Sequence, residues 1–318
     1  MFPFYYKKYA KEADIIIHHY PNPIGEVSEI LVRSDRPKIA LYHSDIVRQK
    51  FLKPFYAVET GLFLSRMNCI VATSPDYAQT SPNLRRFRRK LKIIPLAVDT
   101  NFFTPDGPVH PRMLNLRKQG CRIVLYLGRF AYYKGLEYLI EAGKLLPQDV
   151  CIVLVGDGEE KEKLIALSRS TQVKFIDPVE DEELPSLYRG ADVFVLPSIA
   201  RSEAFGLVVC EAMACGVPVI TTELGTGTSF HNISGTTGYV INPRNPYALE
   251  RAIMNILTSP ERAVFGRNAR KRAVKYFSYE RFYDEWETLI EKIYAQKNLS
   301  KKKNSTAEQA QEEIGLAD

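Results

Sequence analysis

Between residues 121 and 277 short apolar runs, bounded by Gly, Pro, Asn or Asp, alternate with stretches of helical period. The runs over 122–127, 150–155, 173–176, 193–197, 217–222 and 238–241 predict buried strands. The stretches over 135–146, 159–169, 182–188, 207–215, 247–258 and 261–276 predict helices, and Asn245-Pro246 has the form of an N-cap followed by proline at the first helical position. Strands and helices alternating at this length specify a parallel, doubly wound α/β sheet. Residues 1–98 repeat the pattern more faintly, with strands over 15–18, 39–43, 69–72 and 93–96. The segment 99–111, rich in Pro, Asn and Asp, reads as a linker. An amphipathic helix over 278–295 carries the single tryptophan, Trp286. After Lys297 the chain turns to Lys, Ser, Gln and Glu, which predicts disorder. The pattern thus divides the chain into a first domain over 1–104, a second over 105–277, a helix over 278–296 and a tail over 297–318.

A length of 318 residues suits two such domains, each large enough to bury its own core. With 45% hydrophobic and 25% charged residues, the composition is that of a soluble globular protein. No apolar run reaches the length of a membrane span, and the N-terminus lacks a signal-peptide core. The five cysteines form no Cys-x-x-Cys pair and are expected to be reduced thiols of a cytoplasmic protein, not a disulfide framework or zinc site. Residues 1–100 hold 16 Lys/Arg against 9 Asp/Glu, although the whole chain carries only +6. Their densest cluster, at 85–90, suits contact with an anionic membrane or a phosphorylated substrate, or is a solvated helix end. No nucleic-acid-binding motif accompanies the charge.

The most informative stretch is 201–216, where Glu203 and Glu211 stand eight residues apart around Phe205-Gly206. Glu203 lies in a loop leaving a strand, and Glu211 one or two turns into a helix opening near Gly206. A helix start presents unpaired N–H groups that suit phosphate. Eight residues at helical rise span roughly 12 Å, comparable to the reach from sugar to ribose in a nucleotide sugar. A capping loop followed by a surface glutamate explains the same spacing. Arg129 ends the first strand of the second domain and Lys134 opens the next helix, so both could reach one diphosphate. Taken singly, each is equally a surface cation. Gly156-Asp157-Gly158 leaves room for a ligand at a second strand end. His43 directly follows a strand of the first domain, where a histidine can face a cleft or be structural. Neither an Asp-x-Asp nor a His-x-x-x-His cluster occurs, so no metal ligands are assigned.

Together these segments resemble the retaining, nucleotide-sugar-dependent glycosyltransferases of family 4, which have the GT-B fold of two Rossmann-like domains facing a cleft. The resemblance rests on Gly128-Arg129, Lys134-Gly135, Gly156-Asp157-Gly158, Asp181 to Leu184, Tyr188 with Ala191-Asp192, the Glu203/Glu211 motif, Gly216 to Ile220 and Gly235 to Gly238. The stretch from His43 to Lys50, with Thr73 to Asp76, is similar to a subgroup building O-antigen and capsule, many of them mannosyl- or rhamnosyltransferases. The resemblance implies a donor diphosphate on Arg129 and Lys134, donor-sugar hydroxyls on Glu203 and ribose hydroxyls on Glu211. It places the phosphates against the N–H groups of Gly206, Leu207 and Val208, the base against Val179, and His43 near the anomeric carbon. It implies no cofactor and no metal, with a donor such as GDP-mannose or a UDP-hexose. The acceptor would be a glycan or polyprenyl-diphosphate-linked saccharide at the cytoplasmic face of the membrane.

Two features depart from the family. Its first domain begins with a strand and a glycine-rich loop, and Met1 falls beyond that point. The truncated first domain is therefore expected to expose an edge or face that normally packs. Asp177 stands where a small residue is usual, and could alter base choice or point to water. A non-catalytic donor-domain protein and a GT-B epimerase or phosphorylase are the rival readings.

Overall fold

The computed structural model describes residues 2–45, 53–169 and 171–315. Its elements fall into two compact units, the first comprising 1–72, 81–94 and 283–318, the second 73–80 and 95–282. In the first unit, α1 (Phe2–Glu12) precedes β1 (Ile16–Tyr20), α2 (Pro23–Val32), β2 (Lys38–Tyr42), α3 (Lys53–Ser65) and β3 (Cys69–Ala72). After an excursion through the second unit, β4 (Leu91–Ile93) completes a parallel sheet of order β1-β2-β3-β4. The centre of the sheet is dry, with Ile39, Ala40, Tyr42, Ile70 and Val71 buried, as are Phe63 and Leu64 of α3. Continuous apolar runs of this kind are what a parallel strand covered on both faces requires. β1 lies at one edge of the sheet.

Helix α2 reverses the usual amphipathic arrangement. It buries Glu26, Ser28 and Glu29 and turns Ile24, Val27 and Leu31 to solvent. Three polar contacts make this tolerable. Glu29 pairs with Lys38 of β2 at 3.1 Å and accepts from the Tyr6 hydroxyl of α1. Glu26 accepts from the Asn22 backbone N–H at 2.6 Å and faces the carboxyl of Glu59 on α3. Burial, then the Glu59 charge, push the Glu26 pKa up to about 7 from an ordinary 4.5. The folded protein therefore keeps a proton that the unfolded chain releases, and stability from this site falls as pH rises from 4.5 towards 7. Glu26→Gln is expected to raise the melting temperature at pH near neutrality and to change it little in acid. Thermal unfolding of both proteins across that range checks this.

The second unit holds α4 (Pro75–Thr80), α5 (Pro111–Lys118), β5 (Arg122–Leu127), α6 (Leu136–Gly143), β6 (Val150–Val155), α7 (Lys161–Leu167) and β7 (Val173–Ile176). It continues through α8 (Leu184–Arg189), β8 (Val193–Leu196), α9 (Leu207–Ala214), β9 (Val219–Thr222), α10 (Gly227–His231), β10 (Gly238–Ile241), α11 (Pro246–Leu257) and α12 (Arg262–Tyr276). All six strands are parallel, in the order β10-β9-β8-β5-β6-β7. This is the doubly wound arrangement, and the chain reverses its direction of travel across the sheet between β5 and β8. Asp192 locks the base of that junction, accepting from the Ile123 N–H at 2.7 Å and pairing with Arg117 and Arg262.

Three expectations are corrected. The segment read as a linker is held firmly within the second unit. Arg270 donates to the carbonyls of Thr100 and Phe103, and Arg189 to those of Thr104, Asp106 and Pro108. Cys121 and Cys151 form a disulfide with Cα atoms 5.7 Å apart. Pairing of β5 with β6 sets Cys151 opposite Ile123, and only that register brings residue 121 within reach. Cys69, Cys210 and Cys215 are buried free thiols. Finally, α13 (Tyr279–Gly315) continues beyond residue 297 through the segment read as disordered. Lys, Glu, Gln and Ala there are good helix formers, so local propensity opposes the compositional argument.

Candidate active site

Ligands of a doubly wound sheet bind beyond the carboxyl ends of its strands, where the strand order reverses. In the second unit that point lies between the chains leaving β5 and β8. The first runs through Gly128-Arg129 and a tight turn at Tyr132–Lys134 into α6. The second runs through Ser198 and Glu203 to Gly206, which opens α9. The two chains come very close. Gly135 has φ +65°, and a Cβ there would lie 2.5 Å from the Pro197 carbonyl oxygen, so no other residue fits without movement. This approach brings the Lys134 Nζ to 2.6 Å from the Glu203 carboxylate, which also accepts from the Ser198 hydroxyl at 2.9 Å. Both charged side chains are buried. Lys134 and Glu203, assigned from sequence to different parts of the donor, thus hold each other. Sequence reasoning missed Ser198, which no spacing rule singles out.

Gly206 has φ +82°, and no side chain caps the start of α9. The N–H groups of the first turn, including those of Leu207 and Val208, therefore remain available to an anion. In the next turn Glu211 accepts from the Tyr188 hydroxyl of α8 at 2.6 Å. Burial pushes the Glu211 pKa up, the Tyr188 bond opposes it, and the charge of Asp181 adds to it. Asp181 itself lines a cavity of about 320 Å³ whose apolar walls include Leu127, Val155, Pro178, Val179 and Leu184. Arg129 and Asp157 stand on the same lining. Val179 thus forms part of the apolar wall of this cavity, and the Asp181 charge links Glu211 electrostatically to it.

Arg129 is not drawn into the Lys134–Glu203 pair. It is 72% exposed and pairs with Glu159 at 3.1 Å. Its backbone is tied to the site, because the buried Tyr126 hydroxyl donates to the Arg129 carbonyl at 2.9 Å while feeling the Glu203 charge. Asp177 is 81% exposed and pairs with Lys161 at 2.8 Å, outside the cavity lining. A further contact not legible in the sequence fastens the 73–80 segment to this unit. Arg201 donates to Thr80 and to the carbonyls of Leu224 and Gly225, and lies over the Tyr77 ring.

In the first unit, His43 follows β2 directly. Its Nε2 lies 2.9 Å from Nδ1 of His19 at the end of β1, with the rings stacked. Burial, then the neighbouring imidazole, lower the His43 pKa, which keeps the ring neutral at neutral pH. Residues 46–50, which carry much of the subgroup resemblance, lie outside the described residues.

The family model described as "Glycosyl transferases group 1" matches residues 114–272, half of the chain. This chain belongs to the group 1 glycosyltransferases. D-rhamnosyltransferase WbpZ of Pseudomonas aeruginosa is 36% identical over 278 residues, covering 86% of this chain and 72% of that protein. The O-antigen chain mannosyltransferase C of Escherichia coli is 32% identical over 296 residues, covering 92% and 79%. Among solved structures, sucrose-phosphate synthase from Thermosynechococcus elongatus superposes with a TM-score of 0.77 at 27% identity, over 93% of this chain and 78% of that one. HepE from Anabaena, in complex with UDP-glucose, superposes at 0.75 with 24% identity, over 91% and 82%. The glycosyltransferase has the GT-B fold.

Proposed function

We propose that this glycosyltransferase moves a hexose, mannose favoured, from a nucleotide sugar to a glycan or polyprenyl-diphosphate-linked acceptor in O-antigen-type polysaccharide synthesis at the cytoplasmic face of the membrane. The observation that carries the reading is the buried Lys134–Glu203 pair beside the uncapped start of α9. The relatives that carry mannosyl- and rhamnosyltransferase names support the sugar class.

Each residue then has a defined task. The ion pair and Ser198 fix the Glu203 carboxylate in one orientation to receive donor-sugar hydroxyls. A lysine ammonium has three donors, so Lys134 can hold Glu203 and still reach the diphosphate. With Arg129 and the N–H groups of Gly206, Leu207 and Val208, it offsets charge that grows on the diphosphate as the glycosidic bond breaks. Glu211, held by Tyr188, receives the ribose hydroxyls. His43, in the first unit, carries a neutral imidazole suited to hydrogen bonding a sugar hydroxyl. In a retaining, same-face substitution, the departing phosphate oxygen accepts the proton of the incoming hydroxyl, so no protein base is required. These cations and amides make the reaction independent of a divalent metal.

The base cavity favours guanine. Its apolar walls carry carboxylates at Asp157 and Asp181. Guanine presents two adjacent donors, N1–H and the 2-amino group, which a carboxylate can accept together, whereas uracil sets two carbonyls around a single N–H. GDP is expected to bind more tightly than UDP, equally with Mg²⁺ or EDTA, and GDP-mannose to be hydrolysed faster than UDP-hexoses in the absence of acceptor. Calorimetry and a donor-hydrolysis screen measure both. Absence of nucleotide affinity under every metal condition rejects the donor site, and affinity without turnover of any donor points to the non-catalytic reading.

A further inference from the structure

The transfer reaction gives a task to His43 but none to its neighbour, His19. Strand β1 ends in His18-His19-Tyr20, and a strand sends consecutive side chains to opposite faces. His18 turns inward and is buried, its ring perpendicular to that of Phe63 with centres 5.1 Å apart, whereas His19 stays exposed. The parallel register of β1 on β2 sets His19 opposite Leu41. His43 comes two residues after Leu41, so it leaves the sheet on the same face as His19. The backbone beneath both rings is well packed. The His43 N–H donates to the Tyr20 carbonyl at 2.9 Å, and the Tyr20 ring stacks on Tyr42 with centres 4.4 Å apart. The Tyr20 hydroxyl shares a hydrogen bond with that of Thr60 at 2.9 Å. The two imidazoles thus stand on buried tyrosines at the carboxyl end of the strands, where ligands of such sheets bind.

His19 Nδ1 lies 2.9 Å from His43 Nε2, with the ring planes 20° apart. At that separation one nitrogen carries a hydrogen and the other offers a lone pair. Neither imidazole has another hydrogen-bond partner among the described residues, so this single bond sets both tautomers. Two neutral arrangements satisfy it. If His19 donates, both rings carry their hydrogen on Nδ1. If His43 donates, both carry it on Nε2, the form that a neutral imidazole with a free choice prefers. The second arrangement therefore suits both rings at once, and it leaves His43 with a bare lone pair on Nδ1. A sugar hydroxyl has a hydrogen to give to such an acceptor. Without His19, the His43 ring is free to turn over and present a donor or an acceptor.

We propose that His19 is a positioning residue for sugar transfer: its Nδ1 accepts the His43 Nε2–H, which fixes the His43 tautomer and ring plane and leaves the Nδ1 lone pair to accept from a donor-sugar hydroxyl. The inference rests on the reading of His43 as the imidazole that meets the sugar. Nitrogen-15 spectra of the full chain are expected to show neutral His43 protonated on Nε2 alone, and a mixture of tautomers in His19→Ala. That readout needs no turnover. His19→Ala lowers kcat for hydrolysis of the preferred donor by about tenfold, the upper worth of one neutral hydrogen bond. Nucleotide affinity is unchanged, because every proposed nucleotide contact belongs to the second unit. His19→Asn, whose amide oxygen replaces Nδ1 as acceptor, restores most of kcat, and His19→Leu does not. In a His43→Ala background, His19→Ala costs nothing further. Thermal unfolding of each variant confirms folding. His43→Ala with parent turnover removes the reading of His43 and this proposal with it. An impaired His43→Ala beside a fully active His19→Ala overturns the role of His19 alone. So does a His43 tautomer that His19→Ala leaves unchanged, or an equal loss in His19→Asn and His19→Leu.

Discussion

Lys134→Ala is expected to destabilise the protein by about 3–5 kcal/mol, because it leaves the Glu203 carboxylate buried without its counter-ion. The pair is within 2.6 Å and both side chains are about nine-tenths covered, so solvent cannot screen the loss. That cost is a large share of the stability of an ordinary domain, roughly 5–15 kcal/mol. Denaturant unfolding of the two proteins measures it. Replacing both members by apolar residues, Lys134→Met with Glu203→Leu, should restore most of the stability while abolishing transfer, since the burial penalty then disappears with the charges. The double variant separates the two roles. A fold that needs the ion pair loses stability in both variants, whereas a site that uses it loses turnover even when stability returns. A Lys134→Ala protein as stable as the parent would show that the carboxylate is solvated, and would remove the preorganisation argued for Glu203.

Glu211→Ala is expected to weaken GDP binding by about 10- to 100-fold, the worth of hydrogen bonds to a charged acceptor at roughly 1.5–3 kcal/mol. Calorimetry with and without Mg²⁺ reads the change directly. Tyr188→Phe provides the matching control. Its hydroxyl lowers the Glu211 pKa against burial and Asp181, so removing it moves the pKa upward. The ribose then meets an ionised carboxylate only at higher pH, and the acid limb of the binding profile shifts upward while affinity at alkaline pH is largely kept. An unchanged profile would place the ribose elsewhere. This pair of variants addresses the nucleotide end of the donor, as the Lys134 series addresses the sugar end.

Much of this site was legible in one dimension, for a physical reason. In a doubly wound sheet the functional loops follow strand ends, and apolar runs mark those ends directly. Arg129, Lys134, Glu203 and Gly206 could therefore be assigned to strand ends and helix starts from pattern alone. Their partners could not. The Glu203–Lys134 pair joins residues far apart in sequence, and it exists because β5 and β8 are neighbours across the sheet reversal. Ser198 reaches Glu203 within the loop that follows β8, and Tyr188 reaches Glu211 from α8 to α9, contacts that no spacing rule announces. The Cys121–Cys151 bond is another product of register, since it depends on β5 lying against β6. The supposed linker was misread because Pro, Asn and Asp mark irregular backbone equally whether or not distant arginines hold it.

The inverted helix α2 shows the limit most clearly. Its sequence, with Ile24, Val27 and Leu31 on one face, predicts an apolar side turned inward, yet Lys38 and Tyr6 hold Glu29, and the Asn22 N–H holds Glu26, on the inner side instead. Alternation of apolar and polar residues was enough to determine the parallel α/β architecture, because burial of apolar surface depends only on local period. Which charges face each other, which face is left bare and which cavity a carboxylate guards were decided by tertiary structure, because Coulomb and hydrogen-bond energies depend on separations of a few ångströms that only the assembled sheet sets.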